Sequence, residues 1–283
     1  MDSYGNPEVT IRGRVLGDEL RRRREAAGLT KAELARQLRW LPSKVSRMES
    51  GRRVASELHT AIYLATCQTP EPDIREALHF LYRRDDHWLE PHAGSLSGQR
   101  RILITHEAAA TAIHDVQLAI IPDLLQTEDY TRALLTSTGI HPPESVESHV
   151  RTVKTRQLVL HRDHPPRCTF FLHENALRTT VGTAEIMNEQ LLHLVLTAFQ
   201  PQISIRVIPA AHATCPATPF RLLHCPDQQP VTHIETGTVS LFLENRNLTR
   251  QHRTILDQLR TSALDPEYSQ SWIARAACDF DST

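Results

Sequence analysis

The chain has 283 residues, 32 Lys plus Arg, 33 Asp plus Glu, and 40% apolar residues. That length suits two domains of roughly 100–200 residues each, and the apolar content excludes wholesale disorder. No apolar run approaches the roughly 18–20 residues of a membrane span. The start, Met1-Asp2-Ser3-Tyr4-Gly5-Asn6, lacks a basic-then-apolar signal pattern. A cytoplasmic protein with no membrane partner is expected. The net charge of −1 argues at face value against a nucleic-acid binder, but it hides an asymmetry. The first 60 residues hold 13 basic and 8 acidic side chains, a net +5; the rest hold 19 and 25, a net −6. A basic head on an acidic body predicts that only the head meets a polyanion.

In chain order, residues 1–12 carry no period and read as a flexible arm. Helical spacing starts near Gly13, with Leu16, Leu20 and Ala27 on one stripe, and Gly28 stops that helix. Thr30 and Glu33 form a capping box for a helix over 31–38, with Leu34, Ala35 and Leu38 inward. Pro42 suits the first position of a third helix, which runs through Ser50 with Val45 and Met48 inward. A fourth helix over 56–67 shows Leu58, Ile62 and Ala65; a fifth over 71–89 shows Ile74, Leu78, Leu81 and Trp88. Residues 91–99 read as a linker. Beyond them, helices are expected near 127–137, 144–163, 183–199, 247–263 and 266–277. Strands are expected near 168–173, 203–208, 219–225, 231–236 and 238–243, with Ile203–Ile208 alternating as a half-buried strand should.

The chemistry of sites is sparse. Cys67, Cys168, Cys215, Cys225 and Cys278 form no Cys-x-x-Cys pair and read as reduced, structural thiols. His106-Glu107 and His173-Glu174 open like a zinc helix, but Ala110 and Leu177 stand where a second ligand is needed. No nucleophile, base pair or metal set can be named, so a non-enzyme without cofactor or metal is expected.

Residues 31–50 have helix-turn-helix spacing. Ala35 is the small residue at the helix crossing, and Leu34, Leu38, Val45 and Met48 lock the pair. The second helix then offers its first turn to the major groove. Gly28-Leu29-Thr30-Lys31-Ala32-Glu33-Leu34-Ala35 and Lys44-Val45-Ser46-Arg47-Met48-Glu49-Ser50-Gly51 resemble the XRE (Cro/C1, phage-repressor) type. Base reading is expected from Pro42, Ser43 and Arg47, with Arg47 bidentate to guanine. Phosphate contacts are expected from Lys31, Lys44, Ser46, Arg52 and Arg53. Arg24 and Glu49 match a family position that forms an internal ion pair. Two departures stand out: Lys31 replaces the usual Gln, and Arg39 replaces the turn Gly. Either the turn is rearranged or Arg39 accepts a strained, positive φ.

The body resembles the DUF5753 domain of actinobacterial, WhiJ-like regulators. The carrying residues include Ile121-Pro122-Asp123-Leu124-Leu125-Gln126-Thr127, Arg156-Gln157-Leu158, His173-Glu174-Asn175 and His233-Ile234-Glu235-Thr236. Asp123 stands where that family usually has Gly, and His233 where an aromatic residue is common. The resemblance implies a regulatory domain and a small DUF397-type partner protein. It also singles out Gln126, Arg156, Gln157, Glu174 and Glu235 as groups that either brace the fold or line a ligand or partner site.

The expected architecture is two-domain: an all-α, five-helix helix-turn-helix head and an α+β C-terminal regulatory domain. Its boundaries are 1–12 arm, 13–69 head, 70–99 connecting helix and linker, 100–277 regulatory domain and 278–283 tail. The expected function is a sequence-specific transcriptional regulator of double-stranded DNA, a homodimeric repressor controlled through its body by a partner protein or ligand. The alternative is an antitoxin-like interaction module for the DUF397-type partner, with an enzymatic body a distant third.

Overall fold

A computed structural model of the chain describes residues 11–51, 56–81, 87–91, 101–139, 142–211, 216–226, 229–235 and 239–281. Residues 1–10 of the arm expected over 1–12, Arg52, Arg53, Cys215 and residues 92–99 of the linker expected over 91–99 lie outside the described residues; Ile11 and Arg12 instead begin a helix, and Pro91 ends a strand. The chain divides into two compact units, residues 1–86 with 227–229, and residues 87–226 with 230–283.

The first unit contains α1 (Ile11–Ala26), α2 (Lys31–Gln37), α3 (Pro42–Glu49), α4 (Glu57–Thr66) and α5 (Glu71–Leu81). Gly28, at φ +69°, turns the chain out of α1. Ala27 therefore lies beyond the helix and is exposed, not on the inward stripe. The capping box is present: Glu33 N donates to Thr30 Oγ1, and Thr30 N donates to the Glu33 carboxylate at 2.8 Å. Leu16, Leu20, Leu34, Ala35, Val45, Met48, Tyr63 and Leu64 form one core. Each such side chain removed from water contributes roughly 1.5–3 kcal/mol.

Gly17 lets α1 and α3 touch. A Cβ there would lie 2.4 Å from the carbonyl oxygen of Glu49, so the crossing admits only glycine. Ala35 is therefore not the only small residue that the packing requires.

Two helices depart from the sequence reading. The fourth turns the other way: Leu58 is 67% exposed, Ile62 39%, and Ala65 is also exposed. Thr60, Tyr63 and Leu64 face inward instead. Both stripes have helical spacing, so the period alone cannot choose between them. The fifth helix ends at Leu81, and Trp88 belongs to a strand.

The second unit is built on a seven-stranded mixed sheet: β1 (His87–Pro91), β2 (Ala112–Gln117), β3 (Arg167–His173), β4 (Ile203–Ile208), β5 (Phe220–His224), β6 (Val231–Glu235) and β7 (Val239–Leu243). Its order is β1-β7-β6-β5-β2-β3-β4, with β2, β3 and β4 mutually parallel and the rest antiparallel. Six of these strands fall within residues 100–275. The parallel steps are bridged by helices, as parallel neighbours require. Between β2 and β3 run a 3-10 turn (Asp123–Leu125), α7 (Glu128–Thr138) and α8 (Val146–Gln157). Between β3 and β4 run α9 (Glu174–Arg178) and α10 (Ala184–Thr197). A further helix, α6 (Arg101–Ala109), precedes β2, and α11 (Arg246–Ser262) and α12 (Pro266–Asp281) close the unit.

Strand β2 and helices α6 and α9 are additions to the sequence reading. His114 and Asp115 interrupt the apolar alternation of β2 and so hide it.

The sheet's two faces differ in kind. On one face Val116, Phe171, Ile208, Phe220 and Leu222 pack with Leu256 and Leu259 of α11. On the other, register puts Ile205, Phe170, Asp115, Arg221, His233 and Phe242 in one row across the strands. A carboxylate and a guanidinium thus sit side by side in a row whose other members are Ile205, Phe170, Phe242 and one imidazole, His233. Among the described residues, no helix is long and apolar enough to cross a membrane.

Candidate functional site

The first candidate surface is the start of α3. Pro42, Ser43, Ser46 and Arg47 are exposed, whereas Val45 and Met48 are buried. One face therefore anchors the helix and the other is available. Arg47 Nε donates to Ser43 O at 3.2 Å, a bond within the helix turn, and the residue is exposed. The turn before α3 is not rearranged: Arg39 holds φ +54°. Leu41, 71% exposed, precedes Pro42.

Two expected phosphate contacts have partners inside the protein. Lys44 Nζ lies 3.6 Å above the Trp40 ring centroid, a cation–π pair. Lys31 Nζ lies 3.6 Å from Glu49 Oε2.

Behind this surface is a buried ionic centre. Arg24 Nε donates to Glu49 Oε1 at 2.7 Å, and its other amine to Oε2 at 3.1 Å. The remaining Arg24 nitrogen donates to Leu29 O at 2.7 Å, which ties the α1–α2 turn to α3. Tyr63 Oη donates to Glu49 Oε1 at 2.7 Å. Burial alone would push the Glu49 carboxyl up, but the bonds from Arg24 and Tyr63 hold it below its ordinary value. Sequence reasoning misses Tyr63, which lies on the face of α4 that the apolar stripe does not mark.

The second candidate is in the body. Arg156, on α8, makes a side-on pair with Glu107 of α6: Nε to Oε2 at 2.8 Å and an amine to Oε1 at 2.7 Å. Its other amine binds Asp123. Arg221, on β5, donates from Nε to Asp115 at 2.7 Å and from one amine to Asp123 at 2.6 Å. Its last amine binds Glu107. The planar fork of arginine suits this geometry in a way that a lysine point charge would not.

Both guanidiniums stay protonated. Burial opposes their charge, but the surrounding carboxylates outweigh it. Burial pushes the Asp115 carboxyl up, against the pull of Arg221.

Amide bonds fasten the loop above the cluster. Gln157 donates to Asp123 O and Gln126 O, both at 2.8 Å. Gln126 donates to Ile121 O at 2.7 Å and accepts from Thr131. Gln190 donates to Leu125 O at 2.8 Å. The fold thus gathers Gln126, Arg156 and Gln157 at one place.

Glu174 is elsewhere, accepting from Ala210 N at 3.0 Å and from Arg178. Glu235, at the end of β6, lines a cleft of about 560 Å³ together with Asp123, Gln126, Arg221 and His233. His233 stacks on Phe242 with ring centroids 4.7 Å apart.

Glu107, Asp115, Asp123 and Arg221 are site residues that sequence reasoning does not assign. For Arg221 and Asp115 the signal is present as single charges inside strands, in Phe220-Arg221-Leu222 and Asp115-Val116; Glu107, on a helix, and Asp123, in a turn, carry no such mark. Such charges are almost never fully buried unless paired. Among the described residues, Cys67, Cys168 and Cys225 are buried and Cys278 is exposed, and none of the four is in a disulfide. No group that could hold a metal occurs among them.

Comparisons agree with this division. The helix-turn-helix domain family matches residues 15–78. The family described as "Domain of unknown function (DUF5753)" matches residues 100–275. No curated protein matches the chain. A solved structure of TrmBL2, an archaeal chromatin protein, aligns over 84% of this chain and 88% of its own. The identity is 9% and the TM-score 0.32, too low for that likeness to carry an argument. With its match spanning more than half of the residues, the chain belongs to the DUF5753 family and carries a helix-turn-helix domain in front of that body.

Proposed function

We propose that this protein is a sequence-specific DNA-binding transcriptional regulator of the XRE (Cro/C1) kind, acting as a homodimeric repressor. Its body, WhiJ-like rather than enzymatic, receives the controlling input from a small partner protein of the DUF397 type or from a ligand. The observation that carries the reading is the exposed first turn of α3, with Ser43 and Arg47 outward, on a helix anchored by Val45, Met48 and buried Glu49. One helix-turn-helix covers a single half-site, so a dimer reads two half-sites about one helical turn, or ~34 Å, apart.

Genomic footprinting of the tagged protein tests this reading, with mass spectrometry of what copurifies. A near-palindromic site with steeply salt-dependent affinity is expected. Arg47→Ala relaxes discrimination at one base pair by about 1–3 kcal/mol. An equal loss on every sequence removes Arg47 from base reading. No protected site at all removes the regulator reading.

A further inference from the structure

The end of α10 leaves an apolar face uncovered. Leu192, Leu196 and Phe199 are 46%, 68% and 72% exposed. Spaced four and three residues apart, they share one side of the helix. Ala198 N donates to Leu194 O and Phe199 N to Leu196 O, which carries the helical path past Thr197 and keeps Phe199 on that side. Met187, Leu191 and Leu194 face the other way and are buried. Helix α12 runs antiparallel beside α10: Asn188 donates to Ala277 O at 2.8 Å, and Gln270 to Val195 O at 3.2 Å. That packing brings the start of α12, with Tyr268 69% exposed, to the end of α10 that carries Leu196 and Phe199.

The centre of this face is uncharged. From Leu192 to Phe199 the chain holds no Asp, Glu, Lys or Arg. Burial pushes the imidazole of His193, at the edge of the face, below its ordinary value, so it is neutral at pH 7. Toward the start of α10 the same side continues as Glu189 and Glu185, both exposed. The four apolar side chains offer roughly 400–500 Å² per copy, within the range of the largest patch on a typical monomer. That is about half of the ~800 Å² that each partner buries in a standard interface, where a polar rim supplies the rest. The exposed apolar pair on the head, Leu58 and Ile62 of α4, is smaller, and Glu57 and His59 flank Leu58.

We propose that this face pairs with the same face of a second copy, the two α10 helices lying antiparallel across a two-fold axis near Val195. A two-fold interface sets a patch against itself, and an uncharged apolar stripe is its own complement. Antiparallel order puts Glu185 and Glu189 of the two copies at opposite ends of the contact, whereas parallel order would set like charges face to face. This names the surface of the homodimer under the proposed function and rests on that homodimer.

Sedimentation of the full chain without DNA, at micromolar concentrations, tests the proposal. A mass twice that of the chain is expected. Leu196→Glu and Phe199→Ser are each expected to weaken the dimer at least about tenfold. Both side chains are exposed, so circular dichroism should match wild type. Leu58→Glu, on the head, is expected to leave the dimer unchanged.

A monomer at every concentration overturns the proposal. So does a dimer whose dissociation constant is unchanged in Leu196→Glu and Phe199→Ser, or one that Leu58→Glu breaks while they do not. If Leu196→Glu unfolds, Phe199→Ser, beyond the last α-helical residue, decides alone. The readout is mass, not DNA. A protein that dimerises through α10 and protects no genomic site overturns the regulator reading alone. A monomer that protects a site overturns only the homodimer and this interface.

Discussion

The two units each bury an ionic network, and the networks are built differently. In the head one carboxylate, Glu49, is served by Arg24, Tyr63 and Lys31. Donors outnumber the acid, so the centre is saturated and holds α1, α3 and α4 together. In the body three carboxylates share two guanidiniums. That network also joins separate elements, but one of its acids, Asp123, lines a cleft. The head's centre is enclosed, whereas the body's network has one half-buried member, Asp123, on the wall of a cleft.

The largest effect that could break this comparison is loss of Arg221. Arg221→Met removes a guanidinium that the buried Glu107 and Asp115 and the half-buried Asp123 share. It should cost the body more than the roughly 3–5 kcal/mol of a single broken buried pair. Urea unfolding followed in the body measures it, and a loss below ~2 kcal/mol would mean that water reaches the cluster freely.

Next is Arg24→Ala, expected to cost the head about 3–5 kcal/mol by stranding Glu49. Thermal unfolding of the head reads this directly. A mild loss would show that Tyr63 and Lys31 suffice for the carboxylate.

Acid should separate the units as well. Burial, then the neighbouring His224 and the cations Arg260 and Arg253, push the His114 imidazole down from 6.5 to about 4. Its neutral form is what the fold tolerates, so its contribution is complete above pH ~6.5 and is lost as pH falls through about 4. The shift corresponds to at most ~3 kcal/mol in the body. Glu49 is held below its ordinary 4.5, so the head keeps that contribution until pH falls below 4.5 and through the lowered value. Asp115, pushed up by burial, acts in the opposite sense to His114. The slope is therefore measured as the difference between wild type and His114→Phe. No difference between pH 6.5 and 4 would place His114 in contact with solvent.

The smallest expected effect sharpens the contrast most. Asp123→Asn keeps the shape of a half-buried side chain and removes its charge. Its stability should fall by about 1–2 kcal/mol, because charge-assisted hydrogen bonds to Arg156 and Arg221 weaken while no fully buried charge is stranded. A loss as large as that of Arg221→Met would mean that Asp123 holds as much of the network as that guanidinium does.

Much of the head is legible in its residues alone. Helical periodicity, the Thr30–Glu33 capping box and Pro42 at a helix start are short-range signals. They follow from backbone hydrogen bonding within a few residues of each position. Even so, apolar spacing marks the wrong face of α4 as buried, because Leu58 and Ile62 share the spacing of a core stripe. What turns the helix is Tyr63 reaching Glu49, a contact 14 residues away. Gly17 is likewise unreadable as a contact residue, since its role depends on where Glu49 O arrives.

In the body the strands of period two are legible, and β2 is not. Nor does the sequence bring Glu107, Asp115, Asp123, Arg156 and Arg221 together, because the partners lie between 33 and 114 residues apart.

Composition and interactions along the chain are enough to set the charge asymmetry between head and body, the helix-turn-helix spacing and the local caps. Which face of a helix is buried depends instead on what the folded chain brings against it. The same holds for the pairing of lone charges in apolar strands and for the placing of Asp123 beside a cleft. Charge interactions act through space, and the sheet register that puts Asp115 beside Arg221 exists only once the strands have paired.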